Sequence, residues 1–211
     1  MPSITLFGYS GHAYVVAETM ELMGIDIIGY YDRKEAAHNP FDLNYLGDES
    51  DNFNLSPLSN PDVFYFIGIG DNILRKKIAF KLAPLGYKGA KVIHPSSIIS
   101  RLASIESEVF VSAGVKVNAL ARIGTGTILN TGCIIEHECI IDSYTHIAPG
   151  AVLAGNVKVG EGSFVGANAV VRQGVTIGAN VIIGAGAVVT KDVDDNVVMV
   201  GNPAQLLKLN I

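Results

Sequence analysis

The stretch VGANAVVRQGVTIGANVIIGAGAVV, residues 165–189, carries Val or Ile at every sixth position. The same spacing extends back to Ile99 without a miss, so sixteen consecutive positions hold an aliphatic residue. Chance does not keep one class of residue in step for so long, and the period is therefore a property of the fold. The aliphatic positions are Ile99, Ile105, Val111, Val117, Ile123, Leu129, Ile135, Ile141, Ile147, Leu153, Val159, Val165, Val171, Ile177, Ile183 and Val189.

Each hexad predicts one short strand and one corner, because the residue after the aliphatic position is often small or turn-prone. Three faces close a triangular coil of about 18 residues, and stacked coils form a parallel β-helix with the aliphatic side chains inside. The repeat therefore predicts about five coils within residues 95–211. It ends before Gly201, and Pro203 is predicted to begin a short C-terminal helix through Leu209 that covers the last coil.

The first ninety or so residues lack the hexad period and alternate between strand and helix patterns. They predict a small α/β domain over residues 1–94, with a Rossmann-like, doubly wound parallel sheet that precedes the β-helix. The predicted strands are SITLFG (3–8), DIIGYYD (26–32), DVFYFIGIG (62–70) and KGAKVIHP (88–95), and the predicted helices lie within residues 11–24 and 71–86.

A glycine loop joins the first strand to the first helix and predicts a phosphate site. Backbone N–H groups of such a loop and the N-terminus of the helix attract anions. A tight turn explains the glycines equally well, but Asp32 ends the second strand about twenty residues on, where an acidic side chain reaches a ribose or base. The candidate residues of this loop are Gly8, Ser10, Gly11 and His12.

A second glycine turn, GIGDN at residues 68–72, follows the third strand. Open α/β sheets bind ligands at the carboxyl ends of their strands, so both loops are expected to line one nucleotide crevice. Asp71 and Asn72 are the candidate polar groups at this mouth, and Arg75 or Arg33 is expected near the charge of the nucleotide. Lys76 and Lys77 fit an ordinary solvated helix face.

The composition excludes several classes of function. The net charge is −5, and no cluster of Lys and Arg suggests a nucleic-acid footprint. No stretch approaches the roughly 20 apolar residues of a membrane helix, and the first residues resemble no signal peptide, so a cytoplasmic protein without membrane insertion is expected. Cys133 and Cys139 are spaced neither as a redox pair nor as a metal pair and are expected to be reduced and buried.

The hexads change character at IEHECIIDSYTHIAPG, residues 135–150. His137 and Glu138 fall on the corner side of their hexad and are expected to face outward. An exposed histidine is usually unremarkable, but His146 and Asn130 lie within a coil of it, and these polar groups are expected to gather on neighbouring coils. A histidine oriented by a carboxylate is the arrangement of a general base near neutral pH.

These motifs resemble those of the hexapeptide-repeat acyltransferases, and among them the sugar acetyltransferases of the NeuD/PglD type. The resemblance covers nearly all 211 residues, through the GxSGH loop, IGDNILRKKIA, NTGCIIEHE, THIAPGAVLAGNVKVGEG and VGNPAQ. It implies a left-handed β-helix, a homotrimer, acetyl-CoA in the groove between neighbouring subunits and a nucleotide sugar held by the N-terminal domain. No metal is implied.

The resemblance also implies roles for particular residues. His137 corresponds to the general base and Glu138 to its partner, while Asn130 and His146 correspond to positions that line the acetyl and sugar site. His12 corresponds to a first-loop histidine that points toward the sugar. The positions similar to main-chain contacts of the cofactor are Gly155, near the thioester, and Gly166, Ala167 and Ala185, along the pantetheine arm. Tyr9 departs from the family, which often has Ala or Gly there, and is expected to change how the base or sugar packs.

Several readings stay open at this stage. The acceptor group is an amine of a UDP-4-amino sugar or a hydroxyl of a sugar such as sialic acid, since both use the same base. The gamma-type carbonic anhydrases share the fold, but His12, His38 and His94 all precede the repeat, so a third zinc ligand beside His137 and His146 is missing. A non-catalytic trimer that binds nucleotide sugars is the third alternative.

Overall fold

The computed structural model describes residues 3–48, 58, 60 and 62–210. Its contacts divide the chain into two compact units, Met1–Pro95 and Ser96–Ile211. The first unit is an α/β sheet and the second is a β-helix, as the two sequence patterns predict. None of the described helices is long and apolar enough to cross a membrane.

The first unit contains a parallel sheet with strand order β3-β2-β1-β4. The chain moves from β1 toward β3 and then returns to the other side of β1 for β4, so a topological switch point lies between β1 and β4. The short strand β3 is not among the strands that the sequence pattern predicts. The elements are β1 (Ser3–Phe7), α1 (Gly11–Leu22), β2 (Asp26–Tyr31), β3 (Tyr45–Gly47), β4 (Val63–Ile67), α2 (Asn72–Leu82), a 3-10 turn (Ala83–Leu85) and β5 (Val92–Ile93).

The core of this unit consists of apolar and aromatic side chains on β1, β2 and β4, covered by α1. Leu6 and Phe7 are fully buried, and the ring of Phe7 stacks on Tyr31 with 4.9 Å between centroids. Strands buried on both faces read as continuous apolar runs, which explains why SITLF and VFYFI show no alternation. The loops at the carboxyl ends of β1 and β4 therefore rest on a rigid base.

The second unit is a parallel β-helix in which strands pair with a register of one coil, 18 residues. Successive strands belong to three sheets in turn, so three faces and three corners repeat along the chain. We give the three faces letters: face B contains residues 110–111, face C contains residues 116–117, and face D contains residues 122–123. The strands are β6 (Ile98–Ile99), β7 (Ser104–Ile105), β8 (Phe110–Val111), β9 (Lys116–Val117), β10 (Arg122–Ile123), β11 (Ile128–Leu129), β12 (Ile134–Ile135), β13 (Ile140–Ile141), β14 (His146–Ile147), β15 (Val152–Leu153), β16 (Lys158–Val159), β17 (Phe164–Val165), β18 (Val170–Val171), β19 (Thr176–Ile177), β20 (Ile182–Ile183), β21 (Val188–Val189), β22 (Val197–Val200) and β23 (Gln205–Leu209).

The aliphatic residue of each hexad points inward, as predicted. Leu129, Ile147, Val165 and Ile183 form one continuous stack on face B and are all fully buried. Burial of one such side chain stabilises the fold by about 1.5–3 kcal/mol. The stacks leave the first residue of each strand and the corners free to carry function.

Fourteen consecutive corners of the β-helix each contain one residue with left-handed backbone. From Glu108 to Gly186, each sixth residue has φ between 51° and 75°. Glycine or asparagine holds most of these positions, because other residues adopt this region at a cost. Leu120, Glu138 and Tyr144 are among the exceptions.

The predicted C-terminal helix is wrong. Gln205–Leu209 forms the strand β23, which pairs antiparallel with β22 after a turn at residues 201–204. A helix would leave the outer edge of β22 without hydrogen-bond partners, whereas a strand satisfies that edge. Asn210 fastens the end of β23, since its side chain donates to the backbone oxygen of Asn180 at 2.9 Å.

Candidate active site

His137 and Glu138 form a hydrogen-bonded pair at the corner between faces C and D. Nδ1 of His137 lies 3.1 Å from Oε2 of Glu138, and the two side chains are 50% and 58% exposed. The left-handed backbone of Glu138 turns its side chain beside the preceding imidazole. With Nδ1 held by the carboxylate, Nε2 remains the nitrogen that can exchange a proton with a substrate.

The imidazole of His137 lies against the backbone of Gly155, one coil further on. A β-carbon at residue 155 would stand 2.6 Å from Nε2 and closer still to Cε1. Only glycine leaves room for the ring in this position, because real β-carbons do not approach heavy atoms so closely. Among the described residues, none accepts a hydrogen bond from the N–H of Gly155.

Asn130 and His146 form a second pair. Nδ2 of Asn130 lies 3.1 Å from Nε2 of His146, and Oδ1 of Asn130 accepts a hydrogen bond from the N–H of Thr131 at 2.8 Å. The bond to Thr131 sets the orientation of the amide, so Nδ2 donates and Nε2 of His146 accepts.

His146 is 8% exposed, and its ring packs edge-on against Phe164, with 5.0 Å between centroids. It belongs to β14 on face B, whereas His137 lies on the corner between β12 and β13. The expected single cluster of polar groups is therefore divided into two pairs on different sides of the coil. The hexad spacing explains the division, because nine residues are half a coil and carry the chain to another face.

The small residues that are expected to contact the cofactor lie on the same two corners of the coil as His137 and Asn130. Gly166, Ala167 and Ala185 lie on the corner between faces B and C, as Asn130 does, while Gly155 lies on the corner of His137. The N–H of Gly166 donates to the carbonyl of Ile183 at 2.8 Å and is used by the β-helix itself. Among the described residues, none accepts a hydrogen bond from the N–H of Ala167 or Ala185. These two amides on the corner can contact a ligand.

In the first unit, the loop after β1 is bound to the end of β2. Oδ2 of Asp32 accepts a hydrogen bond from the N–H of Tyr9 at 2.8 Å, and Oδ1 accepts one from the N–H of Arg33 at 2.7 Å. Gly8 has φ of +82° and lies close to Ile69 in the loop after β4. Ser10 is exposed, and its side chain makes no capping hydrogen bond to α1.

The loop after β4 is braced from within. Arg75 is only 2% exposed, and its guanidinium donates to the carbonyls of Ile69 at 3.0 Å and Gly70 at 3.2 Å and to Oδ1 of Asn72 at 2.7 Å. Asp71 caps α2 by accepting from the N–H of Leu74 at 2.7 Å. Arg75, which the sequence placed near the charge of the nucleotide, is thus buried inside the turn and supports it, whereas Arg33 is exposed.

His12 lies near the buried Arg75, on the first turn of α1. Burial, and secondarily the positive charge of Arg75, lowers the pKa of His12 to about 4. His12 is therefore neutral at physiological pH and can offer a hydrogen bond without adding charge to the crevice.

Tyr9 has a structural role that its position in the sequence does not reveal. Its side chain is 3% exposed, stacks on Tyr30 at 4.1 Å, and donates a hydrogen bond to Oδ1 of Asn39 at 2.7 Å. The hydroxyl also accepts from the N–H of Phe41 at 3.4 Å. Tyr9 therefore connects the first glycine loop with the segment after β2. A large aromatic residue inside a glycine loop was the available signal.

Other chemistries find little support in the described part of the chain. No three His, Cys, Asp or Glu side chains there are grouped so that they could hold a metal ion. Cys133 is fully buried, and burial raises the pKa of its thiol to about 12, which excludes a reactive thiolate. The two cysteines are free and buried, as expected.

Both units match models of known protein families. Residues 3–82 match the family model of the PglD N-terminal domain, and residues 156–191 match that of the bacterial transferase hexapeptide with six repeats. The structure of PerB from Caulobacter crescentus in complex with CoA and GDP-perosamine is 36% identical, with 97% of each chain covered and a TM-score of 0.88. A histidine-to-asparagine mutant of perosamine N-acetyltransferase from the same organism, with the same two ligands, is 35% identical over 97% of this chain and 96% of the other, with a TM-score of 0.89.

The acetyltransferase domain of PglB from Neisseria gonorrhoeae, in complex with acetyl coenzyme A, is 33% identical over 98% of this chain and 99% of the other, with a TM-score of 0.91. The match to the hexapeptide model identifies the second unit as a β-helix of the bacterial hexapeptide transferases. The likeness to these structures extends over both units. The chain belongs to the PglD-type sugar acetyltransferases.

Proposed function

We propose that the protein transfers the acetyl group of acetyl-CoA to the amino group of a nucleotide-activated 4-amino sugar, of which a UDP sugar is the first candidate. The observation that carries the proposal is the exposed His137 ring, held by Glu138 on one side and by the bare backbone of Gly155 on the other. Relatives that share the whole fold were solved with CoA or acetyl-CoA, and PerB also with GDP-perosamine.

In the proposed reaction, the neutral amine attacks the thioester carbonyl of acetyl-CoA. A C–N bond forms, the C–S bond breaks, and the proton lost by the amine passes to Nε2 of His137. The departing thiolate of CoA then takes a proton from the imidazolium or from water, so atoms and charges balance. Glu138 keeps the ring oriented and stabilises its cationic form. General base catalysis of this type contributes about 10²- to 10⁴-fold.

The N–H of Gly155 is the proposed donor to the oxyanion of the tetrahedral intermediate. It lies on the same corner as the base, and no described residue already accepts its hydrogen bond. A backbone donor aimed at developing charge is worth about 3–4 kcal/mol in a well-ordered site. The amides of Ala167 and Ala185 are the proposed contacts for the pantetheine arm, since no described residue accepts their hydrogen bonds. The small side chains along this corner let a chain-like ligand approach the backbone.

We propose further that the enzyme is a homotrimer and that each active site is shared. His137 and Gly155 lie on one corner of the coil, whereas Asn130, Ala167 and Ala185 lie on another. A rotation about a threefold axis can bring one corner of a subunit against the other corner of its neighbour. Acetyl-CoA would then bind between two copies, with the Asn130–His146 pair of one copy facing the His137–Glu138 pair of the next.

The nucleotide is assigned to the first unit. Gly8, Ser10 and Gly11 stand at the N-terminus of α1, where backbone N–H groups favour phosphate. Asp32 retains lone pairs beyond its two loop hydrogen bonds and is the proposed acceptor from the ribose. His12 is the proposed neutral contact to the sugar.

The primary test is a thiol-release assay with acetyl-CoA and a panel of UDP-, GDP- and CMP-linked amino and hydroxy sugars. Wild-type enzyme is expected to release CoA only with an amino sugar, and a product acetylated on oxygen would instead favour a hydroxyl acceptor. His137→Ala should lower kcat by about two to four orders of magnitude. His94→Ala is the matched control and should leave kcat unchanged. Turnover near the wild-type level in His137→Ala would remove the assignment of the base.

Subunit complementation tests the shared site. His137→Ala and His146→Ala are each expected to have little activity alone. After unfolding and refolding together, random trimers should regain about a quarter of the wild-type activity, because some neighbouring pairs unite two intact halves. No recovery, or a monomer in sedimentation, would contradict the shared site while leaving the chemistry of His137 intact.

A further inference from the structure

Cys139 is a buried residue at the corner of the catalytic pair, and the chemistry described above gives it no part. It follows Glu138 directly, and its side chain is fully buried. Its thiol donates a hydrogen bond to the carbonyl of Ala154, with 3.2 Å between Sγ and the oxygen. Burial raises the pKa of this thiol, so it keeps its proton and remains a donor at physiological pH. The carbonyl that it contacts belongs to the same peptide group as the N–H of Gly155.

The peptide between Ala154 and Gly155 is held differently from the peptides on either side of it. The N–H of Ala154 donates to the carbonyl of Val171 at 3.0 Å, and the N–H of Asn156 donates to the carbonyl of His137 at 2.8 Å. Within the described residues, no backbone N–H donates to the carbonyl of Ala154. The orientation of this one peptide is therefore set by a side chain.

Other corners between faces C and D close the equivalent carbonyl with the backbone. The N–H of Ala121 donates to the carbonyl of Asn118 at 3.4 Å, and the N–H of Val175 donates to the carbonyl of Arg172 at 3.3 Å. At Ala154 the thiol takes the place of this turn hydrogen bond.

The direction of the Ala154 carbonyl fixes the direction of the Gly155 N–H. The peptide is trans, so its C=O and its N–H point to opposite sides. Because the carbonyl points toward the buried sulfur, the N–H points away from the core, to the outer side where the imidazole of His137 lies. Glycine adopts φ of either sign at little cost, so the backbone of Gly155 does not by itself prevent this peptide from turning over.

We propose that Cys139 is a positioning residue that keeps the N–H of Gly155 directed at the oxyanion, an inference that rests on the proposed function. The thiol exchanges no proton with the substrate and forms no covalent bond to it. Its hydrogen bond selects the orientation of the peptide in which the N–H can stabilise the tetrahedral intermediate. Removal of a whole oxyanion donor costs about 10²- to 10³-fold in kcat, and a donor that is only misdirected should cost less.

The test compares Cys139→Ala with Cys139→Ser, because both variants lose the sulfur and differ in one hydroxyl donor. Serine has the necessary reach in this fold, since Oγ of Ser163 donates to the carbonyl of Gly178 at 2.8 Å, also fifteen residues further on. Cys139→Ala should lower kcat about 10- to 100-fold with little change in KM for acetyl-CoA, whereas Cys139→Ser should stay within about threefold of wild type. Cys139→Val, which fills the space without a donor, should match Cys139→Ala. Valine fits this position, because Val157 is fully buried at the equivalent position of the next coil.

Thr127→Val is the matched control for the loss of a buried donor. The hydroxyl of Thr127 donates to the carbonyl of Asp142 at 3.1 Å, in the same arrangement but on the corner between faces D and B. Its loss should lower the melting temperature, as the loss of the thiol does, and leave kcat unchanged. The pH dependence of kcat should keep its midpoint in Cys139→Ala, because the His137–Glu138 pair is intact.

A spectroscopic measurement tests the inference without any sugar. Infrared spectra of enzyme-bound acetyl-CoA, isotopically labelled at the thioester carbonyl, report the hydrogen bond that this carbonyl accepts. Wild type and Cys139→Ser should lower the stretching frequency of the carbonyl more than Cys139→Ala does.

Four results would overturn the inference. They are wild-type kcat in both Cys139→Ala and Cys139→Val, an equal loss of kcat in Cys139→Ala and Cys139→Ser, an unchanged carbonyl frequency in Cys139→Ala, and a shifted pH midpoint that assigns the loss to the base. Failure of the proposed function is a separate outcome, since wild type would then bind acetyl-CoA and show the frequency shift but acetylate no sugar in the panel.

Discussion

The imidazole of His137 lies against Gly155, so that a β-carbon at residue 155 would stand 2.6 Å from Nε2. The backbone at Gly155 is not in the left-handed region, so alanine can adopt it. Gly155→Ala should therefore fold normally but push the ring out of place. A misplacement of about 1 Å can cost about 100-fold in rate, and kcat should fall by that order. Stopped-flow thiol release together with thermal melting checks both expectations, and unchanged kcat would show that the ring moves without consequence.

Gly166→Ala should have the opposite profile. A β-carbon at residue 166 would stand 2.6 Å from the backbone N of Ala185 and the carbonyl oxygen of Ile183. Backbone atoms cannot yield as a side chain does, so the coils must separate locally. We expect a loss of about 1–3 kcal/mol in the free energy of unfolding, measured by urea denaturation. Stability equal to that of wild type would mean that the coils accommodate the methyl group.

Glu138→Gln keeps the shape of the side chain and removes its charge. The amide can still contact Nδ1 of His137, but it no longer stabilises the cationic ring that forms as the amine loses its proton. We expect kcat to fall at least tenfold with little change in either KM. Glu136→Gln is the matched control, because Oε2 of Glu136 accepts a hydrogen bond from Nδ2 of Asn118 at 2.9 Å and not from the histidine. An equal loss in both variants would indicate a general electrostatic effect.

Tyr9→Phe removes the hydroxyl that joins the first loop to Asn39 while the stacked ring remains. The lost hydrogen bonds should lower the free energy of unfolding by about 1 kcal/mol. Because the segment after β2 is then held less firmly, KM for the nucleotide sugar should rise several-fold, whereas KM for acetyl-CoA stays constant. Tyr87→Phe serves as the control. A change in KM for acetyl-CoA instead would contradict this positioning role.

His12 makes stability depend on pH. Its pKa is lowered to about 4 in the folded protein and returns to its ordinary value of 6.5 on unfolding. Between these values the unfolded chain binds a proton that the folded chain does not, so stability rises as the pH increases through this window. The contribution is about 2–3 kcal/mol. Urea titrations from pH 4 to pH 7 should show this slope, and His12→Gln should flatten it; an unaltered slope would assign it to other groups.

The hexad period alone determined the β-helix, its coil length and the inward position of residues such as Ile147 and Val165. Each hexad is a local unit whose aliphatic side chain must be buried. The spacing of the aliphatic residues therefore predicts the spacing of the strands directly. The alternating strands and helices before residue 95 likewise predicted the parallel sheet. The outward direction of His137 followed from its place in the hexad. The predicted C-terminal helix failed because the free edge of β22, a long-range feature, decides the conformation of residues 205–209.

Only the tertiary structure decided which residues touch. The hexad spacing assigns His137 and His146 to different faces of the coil, but it does not give the hydrogen bonds from His137 to Glu138 and between Asn130 and His146. The burial of Arg75 and the tether from Tyr9 to Asn39 are contacts between loops that follow different strands. The hexad period specifies the β-helix because every repeat has to bury the same kind of aliphatic side chain. The site arises where non-repeating side chains from separate coils and loops meet, and that depends on packing in three dimensions.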